Sequence, residues 1–361
     1  MKKILFTGGG SAGHVVPNIA LIEQILSAGD ADVCYIGTDG IEKQLIAEWK
    51  LPYHTIECPK LIRGGGWQAL KKNLGIPKRF FRAVKQARTG LEILKPDVVF
   101  SKGGYVALPV VIACKQLKIP CYAHESDLSA GLANKISARF CKKVFTSFPE
   151  TAKRIKRGEY SGAPIRRAVF TGTRAEARKT FGLPFDKQVL LIFGGGSGSK
   201  AINNAVRKHI RALTERFAVL HVCGAGNVVE SNVKNYRQFE FVADMGGAYA
   251  CADYVLSRSG AGTVFEILAL KKPALFIPLA GQTRGDQAQN ADYFKKQGLC
   301  HVLPQNRLDE LVEALEKLQL DDGLKARLQT CQLPVGNERI LKALYEEMAK
   351  ERTENVRKSR V

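Results

Sequence analysis

The sequence of 361 residues lacks several features that would place it in a class at once. No stretch approaches the roughly 20 apolar residues that span a bilayer, and the longest apolar run is residues 106–114. No apolar signal region follows the lysines at the N-terminus, where residues 2–6 (KKILF) already have the composition of a strand. These absences predict a protein that is neither exported nor membrane-spanning.

Metal-ligand and nucleic-acid patterns are missing too. The nine cysteines form no C-x-x-C pair, and no histidines and cysteines have the spacing of metal ligands. We therefore expect buried thiols in a reducing cytoplasm, and neither a bound metal nor another resident cofactor. Two tryptophans are too few for a base-stacking platform, and no nucleic-acid-binding motif is visible. Nucleic acid is therefore not a predicted partner.

Acidic residues are outnumbered, with 34 Asp and Glu against 55 Lys and Arg, and the formal net charge is +21. The segment that starts at Lys60 and ends at Arg88 contains no acid at all, and its basic residues alternate with aromatic and aliphatic ones. One interpretation is a solvated amphipathic helix packed on its domain. The other is an interfacial patch whose apolar residues enter the headgroup layer while its cations meet anionic lipid.

Short apolar runs alternate with helical segments along the chain, which predicts an α/β fold with parallel sheets covered by helices on both faces. The alternation pauses near residues 160–164 and restarts with the continuous apolar run 189–193 (VLLIF). At roughly 150 residues per domain, the length suggests about two domains. Ligands bind at the carboxyl ends of parallel strands, so we expect two doubly wound domains that face a cleft. The predicted strands are residues 4–7, 33–36, 98–101, 120–124, 143–146, 189–193, 218–223, 238–242, 254–257 and 274–277.

The first strand is followed by a glycine loop, LFTGGGSAGHVVP, with the spacing G-x-G-x-x-G at Gly8, Gly10 and Gly13. Such loops offer N–H groups to phosphate oxygens. The NAD interpretation also needs an acid at the end of the second strand. Here residues 33–36 run into Gly37 and Thr38, and the acids Asp39 and Glu42 come only later. An NAD-dependent oxidoreductase is therefore disfavoured.

The second half repeats this device with residues 194–199 (GGGSGS). A further strand-to-helix turn, residues 257–266 (SRSGAGTVFE), contains a serine that can cap, two glycines and N–H groups suited to a diphosphate. Glu266 is predicted either to bind ribose hydroxyls or to act as a capping carboxylate. Gln287 and Asn290 lie three residues apart on one helix face and can read sugar hydroxyls.

Three titratable groups in the first half are acid–base candidates: His14, Tyr105 and Glu125. A histidine at a helix N-terminus should be held neutral, which suits a base at pH 7. Its structural alternative is a hydrogen bond to the backbone. The D-x-D pattern at Asp30 and Asp32 precedes a strand instead of ending one, so it is interpreted as a turn.

Several separate stretches, in order, resemble the MurG family of glycosyltransferases: TGGGSAGH at 7–14, FSKGGY at 100–105, HESD at 124–127, GLANK at 131–135, SRSG at 257–260 and DQ at 286–287. The resemblance implies two Rossmann-like domains of the glycosyltransferase B fold. The first would be residues 1–162 with a C-terminal helix, 338–361, packed back on it, and the second would be residues 163–337. It also implies an inverting transferase that moves N-acetylglucosamine from UDP to undecaprenyl-pyrophosphoryl-N-acetylmuramyl-pentapeptide, in peripheral association with the cytoplasmic face of the cell membrane.

The resemblance also implies the site residues. Donor-binding residues would be Glu266 on the ribose, Val242 near the uracil, and Arg166, Gly196, Ser197, Arg258, Ala261, Gly262, Thr263, Gln287 and Asn290. Acceptor-binding residues would be Gly10, Ser11, Ala12, Gly13, Asp127 and Asn134. His14 would take the proton of the muramyl 4-hydroxyl as it attacks the anomeric carbon, with Glu125 and Tyr105 as competing candidates. Helix N–H groups near Ala261 would stabilise the leaving UDP without a metal.

Three departures from the family pattern stand out. Gly196 replaces a common serine, so the hydroxyl expected on the donor phosphate must come from Ser197 or Ser199. Asp127 stands where many members have Asn, and Ser11-Ala12 replaces Thr-Gly. Two further alternatives remain open at this level: a non-catalytic UDP-sugar-binding or lipid-binding scaffold of the same fold, and a related transferase that acts on diacylglycerol.

Overall fold

The computed structural model describes residues 2–60, 73–279 and 285–358, with side chains up to residue 350. The chain forms two compact units. The first consists of Met1–Arg166 and Pro334–Val361, and the second of Arg167–Leu333. The first unit extends a few residues beyond the predicted boundary at 162, because Ala163 forms a bridge with Val335 and the Asn337 side chain bonds both the N–H and the carbonyl of Ile165.

The first unit contains a seven-stranded parallel sheet of order β3-β2-β1-β4-β5-β6-β7. Its strands are β1 (Lys3–Thr7), β2 (Asp32–Gly37), β3 (Tyr53–Thr55), β4 (Val98–Ser101), β5 (Cys121–Glu125), β6 (Lys143–Thr146) and β7 (Gly158–Tyr160). The two edge strands, β3 and β7, were not predicted. Each is three residues long and without an apolar run, so pairing with a neighbour defines it.

Helices cover both faces of this sheet. They are α1 (Val16–Ala28), α2 (Ile41–Ala47), α3 (Ile76–Leu94), α4 (Ala107–Leu117), α5 (Leu132–Ser137) and α6 (Pro149–Arg154), preceded by a 3-10 turn over Ala12–His14. Alternate strand residues enter two separate cores, one around Phe6 and Phe100 and the other around Leu5 and Val99. The unit is thus a sheet buried on both faces, as the continuous apolar strands predict.

The second unit contains a six-stranded parallel sheet of order β10-β9-β8-β11-β12-β13. Its strands are β8 (Gln188–Phe193), β9 (Phe217–Val222), β10 (Tyr236–Phe239), β11 (Tyr254–Ser257), β12 (Ala274–Phe276) and β13 (His301–Val302). Its helices are α7 (Arg174–Thr180), α8 (Lys200–Lys208), α9 (Ile210–Arg216), α10 (Met245–Cys251), α11 (Ala261–Ala269), α12 (Asp286–Lys296), α13 (Leu311–Gln319) and α14 (Asp322–Thr330), with 3-10 turns over Arg167–Phe170 and Gln305–Glu310. Strand β10 begins two residues before the predicted segment 238–242 and ends within it, at Phe239, and β13 was not predicted.

The last helix, α15 (Asn337–Lys358), returns to the first unit. Ile340, Leu344 and Met348 are buried in the core that contains Phe6 and Phe100. The apolar face of this helix thus packs on the first unit, where the C-terminal helix was expected. Within the described ranges, no helix has both the length and the hydropathy needed to cross a bilayer.

Candidate active site

The first glycine loop is closely packed against the end of β4. Gly10 has φ +81°, and a Cβ at this position would lie 2.4 Å from Cε1 of Tyr105. Only glycine combines that backbone conformation with so close an aromatic ring. The loop then enters the 3-10 turn Ala12–His14, and α1 begins only at Val16. The sequence predicted that His14 lies in the first turn of the helix. This was wrong, because His14 belongs to the 3-10 turn that precedes α1.

His14 is half-buried and stands beside the loop that follows β4. Its Nδ1 lies 3.1 Å from Oγ of Ser11. A Cβ at Gly104 would come within 3.2 Å of the same nitrogen, so the glycine lets the two loops meet. When Nδ1 carries the proton and donates it to Ser11, Nε2 has the lone pair that a base requires.

Glu125, at the end of β5, organises the next loop. Its carboxylate accepts hydrogen bonds from the N–H groups of Asp127 (3.0 Å) and Gly131 (2.8 Å) and from Nδ2 of Asn134 (2.9 Å). Asn134 in turn packs against Gly103, where a Cβ would lie 2.5 Å from its Oδ1. The structure thus brings the predicted acceptor-side residues together in one run of contacts from Gly10 to Glu125.

The three acid–base candidates differ in their surroundings. Burial, followed by the negative charge of Glu42 and by Cys58, raises the pKa of Tyr105, although a side-chain hydrogen bond with Thr38 offsets this in part. A raised pKa leaves less of the phenol ionised at neutral pH, and only the phenolate could accept the substrate proton. The Glu125 oxygens are occupied by protein donors. This geometry favours His14 as the base.

Sequence reasoning did not select two buried charges beneath these loops. Lys102 is 1% exposed and donates from Nζ to Ser126 Oγ at 2.7 Å. Burial lowers its pKa, while Glu125 and Asp127 act in the opposite direction. Glu42 is completely buried and accepts from the N–H of Gly10. Their signal was present: Lys102 lies inside the FSKGGY stretch, and Glu42 follows the second strand closely.

In the second unit, the N-terminus of α11 has the form predicted for a phosphate site. Gly260 is the N-cap residue, and a Cβ at either Gly260 or Gly262 would meet no atom within 4 Å. Space is therefore open above the first N–H groups, those of Ala261 to Thr263. Glu266, one turn further, is half-buried and accepts from Tyr249 Oη at 3.3 Å.

Two residues of this unit, Arg258 and Ser259, have structural contacts that the sequence did not reveal. Ser259, expected to cap α11, is buried and donates instead to the carbonyl of Gln287 at 2.9 Å. Arg258, predicted to bind substrate, is 8% exposed and donates to the carbonyls of Ile277 and Pro278. It also donates to Ser199 Oγ at 2.8 Å. The Arg258 guanidinium thus connects the segment that follows β12 with the N-terminus of α8.

The second glycine loop identifies which serine can replace the missing hydroxyl at Gly196. Ser199 is occupied as the N-cap residue of α8 and by Arg258. Ser197 and Gly196 are both exposed. Ser197 is therefore the better placed hydroxyl for a donor phosphate.

The other residues predicted to bind substrate are partly or completely buried, or have contacts within the protein. Gln287 accepts from the N–H of Leu279 at 3.0 Å, while Asn290 is completely buried and does not share an exposed face with it. Val242 is buried, and Asp127 is half-buried. Arg166 belongs to the first unit, where its charge acts on Glu23. In the part of the chain that the structure describes, no group of three or more His, Cys, Asp or Glu side chains could hold a metal.

Comparison with known proteins assigns the family. Residues 4–146 match the glycosyltransferase family 28 N-terminal domain, and residues 189–342 match the glycosyltransferase family 28 C-terminal domain. A Clostridium perfringens protein named UDP-N-acetylglucosamine--N-acetylmuramyl-(pentapeptide) pyrophosphoryl-undecaprenol N-acetylglucosamine transferase is 43% identical over 326 residues, which cover 88% of this chain and 90% of that protein. A Clostridium botulinum protein of the same name is 43% identical over 348 residues, covering 90% and 97%.

Among solved structures, Acinetobacter baumannii MurG has a TM-score of 0.74 and 25% identity, with 96% of this chain and 100% of that chain covered. These similarities confirm both the fold class and the resemblance drawn from the motifs. The chain therefore belongs to the MurG family within glycosyltransferase family 28, and it is an N-acetylglucosamine transferase of that family.

Proposed function

We propose that the protein transfers N-acetylglucosamine from UDP-N-acetylglucosamine to the 4-hydroxyl of undecaprenyl-pyrophosphoryl-N-acetylmuramyl-pentapeptide, with inversion at the anomeric carbon. The contact run on the first unit carries the proposal: Gly10 beneath Tyr105, His14 beside Gly104, and Asn134 between Gly103 and Glu125. Family membership and the names of the relatives supply the substrates.

The chemistry follows from these roles. His14 Nε2 takes the proton of the attacking hydroxyl, and Ser11 holds the opposite ring nitrogen. The C4 oxygen of the muramyl sugar bonds to the anomeric carbon while the bond from that carbon to the UDP oxygen breaks. The N–H groups at the start of α11 and the Ser197 hydroxyl stabilise the charge on the departing diphosphate. Glu266 holds the ribose.

Peripheral association with anionic lipid at the cytoplasmic face of the membrane is the second part of the proposal. Residues 61–72 of the basic segment lie outside the described residues. Helix α3 supports the idea, because it packs Ala83, Val84 and Ala87 on the core and exposes Phe81 among cations. Leu74, just before the helix, is 75% exposed. Exposed apolar side chains among basic ones suit a lipid headgroup layer.

The deciding experiment supplies radiolabelled UDP-N-acetylglucosamine with two acceptors in parallel, a lipid-linked muramyl-pentapeptide and diacylglycerol. We expect label only on the muramyl lipid. Label on diacylglycerol would show that the proposed acceptor is wrong. Label on neither acceptor, with UDP still bound, would indicate a scaffold that binds the donor without transferring the sugar. Titration calorimetry with UDP on the same preparation separates these outcomes from a loss of donor binding.

A further inference from the structure

The buried carboxylate of Glu42 lies at the point where the first glycine loop meets the turn after β2. Its Oε2 accepts from the N–H of Gly10 at 3.1 Å. Its Oε1 accepts from the N–H of Thr38 at 2.9 Å and from the Thr38 hydroxyl. A carboxylate that is completely buried yet fully engaged fixes its partners in place, because leaving any of these donors unpaired is costly.

Glycines provide the space for this carboxylate. A Cβ at Gly9 would lie 2.4 Å from Cδ of Glu42, and one at Gly37 would lie 2.9 Å from its Cγ. At Gly40, a Cβ would lie 3.2 Å from Oε2. One glycine of the first glycine loop, the last residue of β2 and one glycine of the turn after β2 therefore border one side chain. That arrangement explains why the loop needs a glycine at position 9, which lies outside the G-x-G-x-x-G spacing.

Glu42 also acts on Tyr105, through charge and through Gly10. The Thr38 hydroxyl donates to Glu42, and the negative charge of Glu42 is one of the causes that raise the pKa of Tyr105. The Tyr105 ring lies against Gly10, whose N–H Glu42 holds. One carboxylate thus fixes both the glycine loop and the aromatic ring that covers it.

The Gly10 N–H points at a protein carboxylate and is not offered to a ligand. We propose that Glu42 is a positioning residue for the acceptor: it orients the loop of residues 8–14, and with it His14 and Tyr105, for a lipid-linked sugar. The proposal rests on the proposed function for the identity of the acceptor. The same geometry also answers the question raised by the glycine spacing, because the acid after the second strand binds the loop itself and not a ribose.

The test is Glu42→Gln, which keeps the size of the side chain but turns an amide NH₂ towards a donor N–H. We expect the KM for the muramyl acceptor to rise by about tenfold or more and kcat to fall, because a hydrogen bond to a charged group is replaced by a repulsive contact. The Kd for UDP should stay within about twofold, since the predicted donor-binding residues other than Arg166 lie in the second unit. Glu48→Gln, an exposed change at the end of the same helix, is the matched control and should behave as wild type.

Hydrogen–deuterium exchange gives a readout that needs no acceptor and so separates this proposal from the proposed function. Exchange in peptides covering residues 8–14 should quicken in Glu42→Gln and not in Glu48→Gln. Unchanged exchange there would overturn the positioning role even if transfer were abolished. A rise throughout the first unit would mean that Glu42 only supports the fold, which would also overturn it. Wild-type protein without transferase activity would refute the proposed function alone.

Gly9→Ala approaches the same contact from the loop side and decides the matter if Glu42→Gln fails to fold. Gly9 has no positive φ, and the three atoms nearest to a Cβ at this position all belong to the Glu42 carboxylate. We expect the acceptor KM to rise as in Glu42→Gln, with UDP affinity unchanged. A folded Gly9→Ala protein with the wild-type acceptor KM would contradict the proposal.

Discussion

His14 differs from the other acid–base candidates in its position and in what holds its polar atoms. Glu125 has three protein donors on its carboxylate, and burial raises the pKa of Tyr105. The His14 ring is half-buried, with its Nδ1 beside the Ser11 hydroxyl. At the scale of single residues, these local hydrogen bonds support the proposal that His14 is the base.

Replacing His14 with alanine should lower kcat by about 10² to 10⁴, the usual contribution of a positioned general base. UDP affinity should stay within about twofold, because the side chain belongs to the first unit. Ser11→Ala, which removes only the partner of Nδ1, should cause a smaller loss. Steady-state transfer kinetics and UDP calorimetry test this prediction. Full turnover by the His14→Ala enzyme would show that His14 is not the base.

Glu266 lies one turn inside α11, where the helix start is open to a ligand. Glu266→Ala should weaken UDP binding by about 1 to 3 kcal/mol, since ribose hydroxyls would lose a charged hydrogen-bond acceptor. Calorimetry at fixed pH measures the change. Glu313→Ala, which removes an exposed acid from α13 of the same unit, provides the comparison and should bind UDP normally. Equal affinity in both variants would exclude the ribose role.

At the scale of the element, α3 has features that each of the two interpretations of its sequence predicts. Its small apolar residues pack on the core, as a solvated amphipathic helix requires. Its outer face still presents Lys78, Arg79, Phe81 and Arg82 to solvent, and Phe81 is 72% exposed. An exposed phenylalanine among cations is the arrangement that the proposed contact with a lipid surface predicts.

Changing Lys78, Arg79 and Arg82 to glutamate should sharply reduce co-sedimentation with vesicles that contain anionic lipid, because each cation near such a surface contributes about 1 kcal/mol. The loss should be greatest at low salt. Glutamate at Lys234, Lys295 and Lys296, exposed residues of the second unit, is the charge-matched control. Equal vesicle binding by the two triple variants would mean that the outer face of α3 is only solvated and does not contact lipid.

At the scale of the whole molecule, the C-terminal helix α15 packs on the unit that the N-terminal half of the chain forms. Glu347, 7% exposed, accepts from Tyr122 Oη at 3.0 Å and pairs with Lys142 at 3.1 Å. Burial acts to raise the pKa of Glu347, but hydrogen bonds from Lys142 and Tyr122 outweigh it, so the pKa lies below its ordinary value of 4.5. The contact thus fastens the C-terminal helix to the first sheet with an ionised carboxylate.

A lowered folded-state pKa stabilises the protein above the ordinary pKa, and this stability is lost as pH falls through the folded value. Glu347→Gln should therefore lower the free energy of unfolding by about 1 to 3 kcal/mol at pH 7. The difference from wild type should shrink below about pH 4. Trp49 packs against the core that also contains Leu344 and Met348, so urea unfolding followed by tryptophan fluorescence reports on this region. Glu346→Gln, exposed and adjacent, is the control; a pH-independent difference would contradict the ionic origin.

The sequence by itself determined the alternation of elements and most of the motifs. Strands β4, β6 and β11 have the predicted bounds, because a buried parallel strand is a continuous apolar run that needs no knowledge of its neighbours. The glycine loops and the candidates His14, Tyr105 and Glu125 also follow from local spacing. The short edge strands β3, β7 and β13 did not, since pairing and not composition makes them strands.

Only the tertiary structure decided which buried polar groups form hydrogen bonds with each other. Glu42 and Gly10 are separated by 32 residues, and Arg258 and Ser199 by 59, yet each pair forms a direct hydrogen bond. Sequence periodicity records which side of an element is apolar. It does not record the partner of a buried charge, because that partner comes from whichever distant loop folding brings alongside, and burial then makes the pairing obligatory.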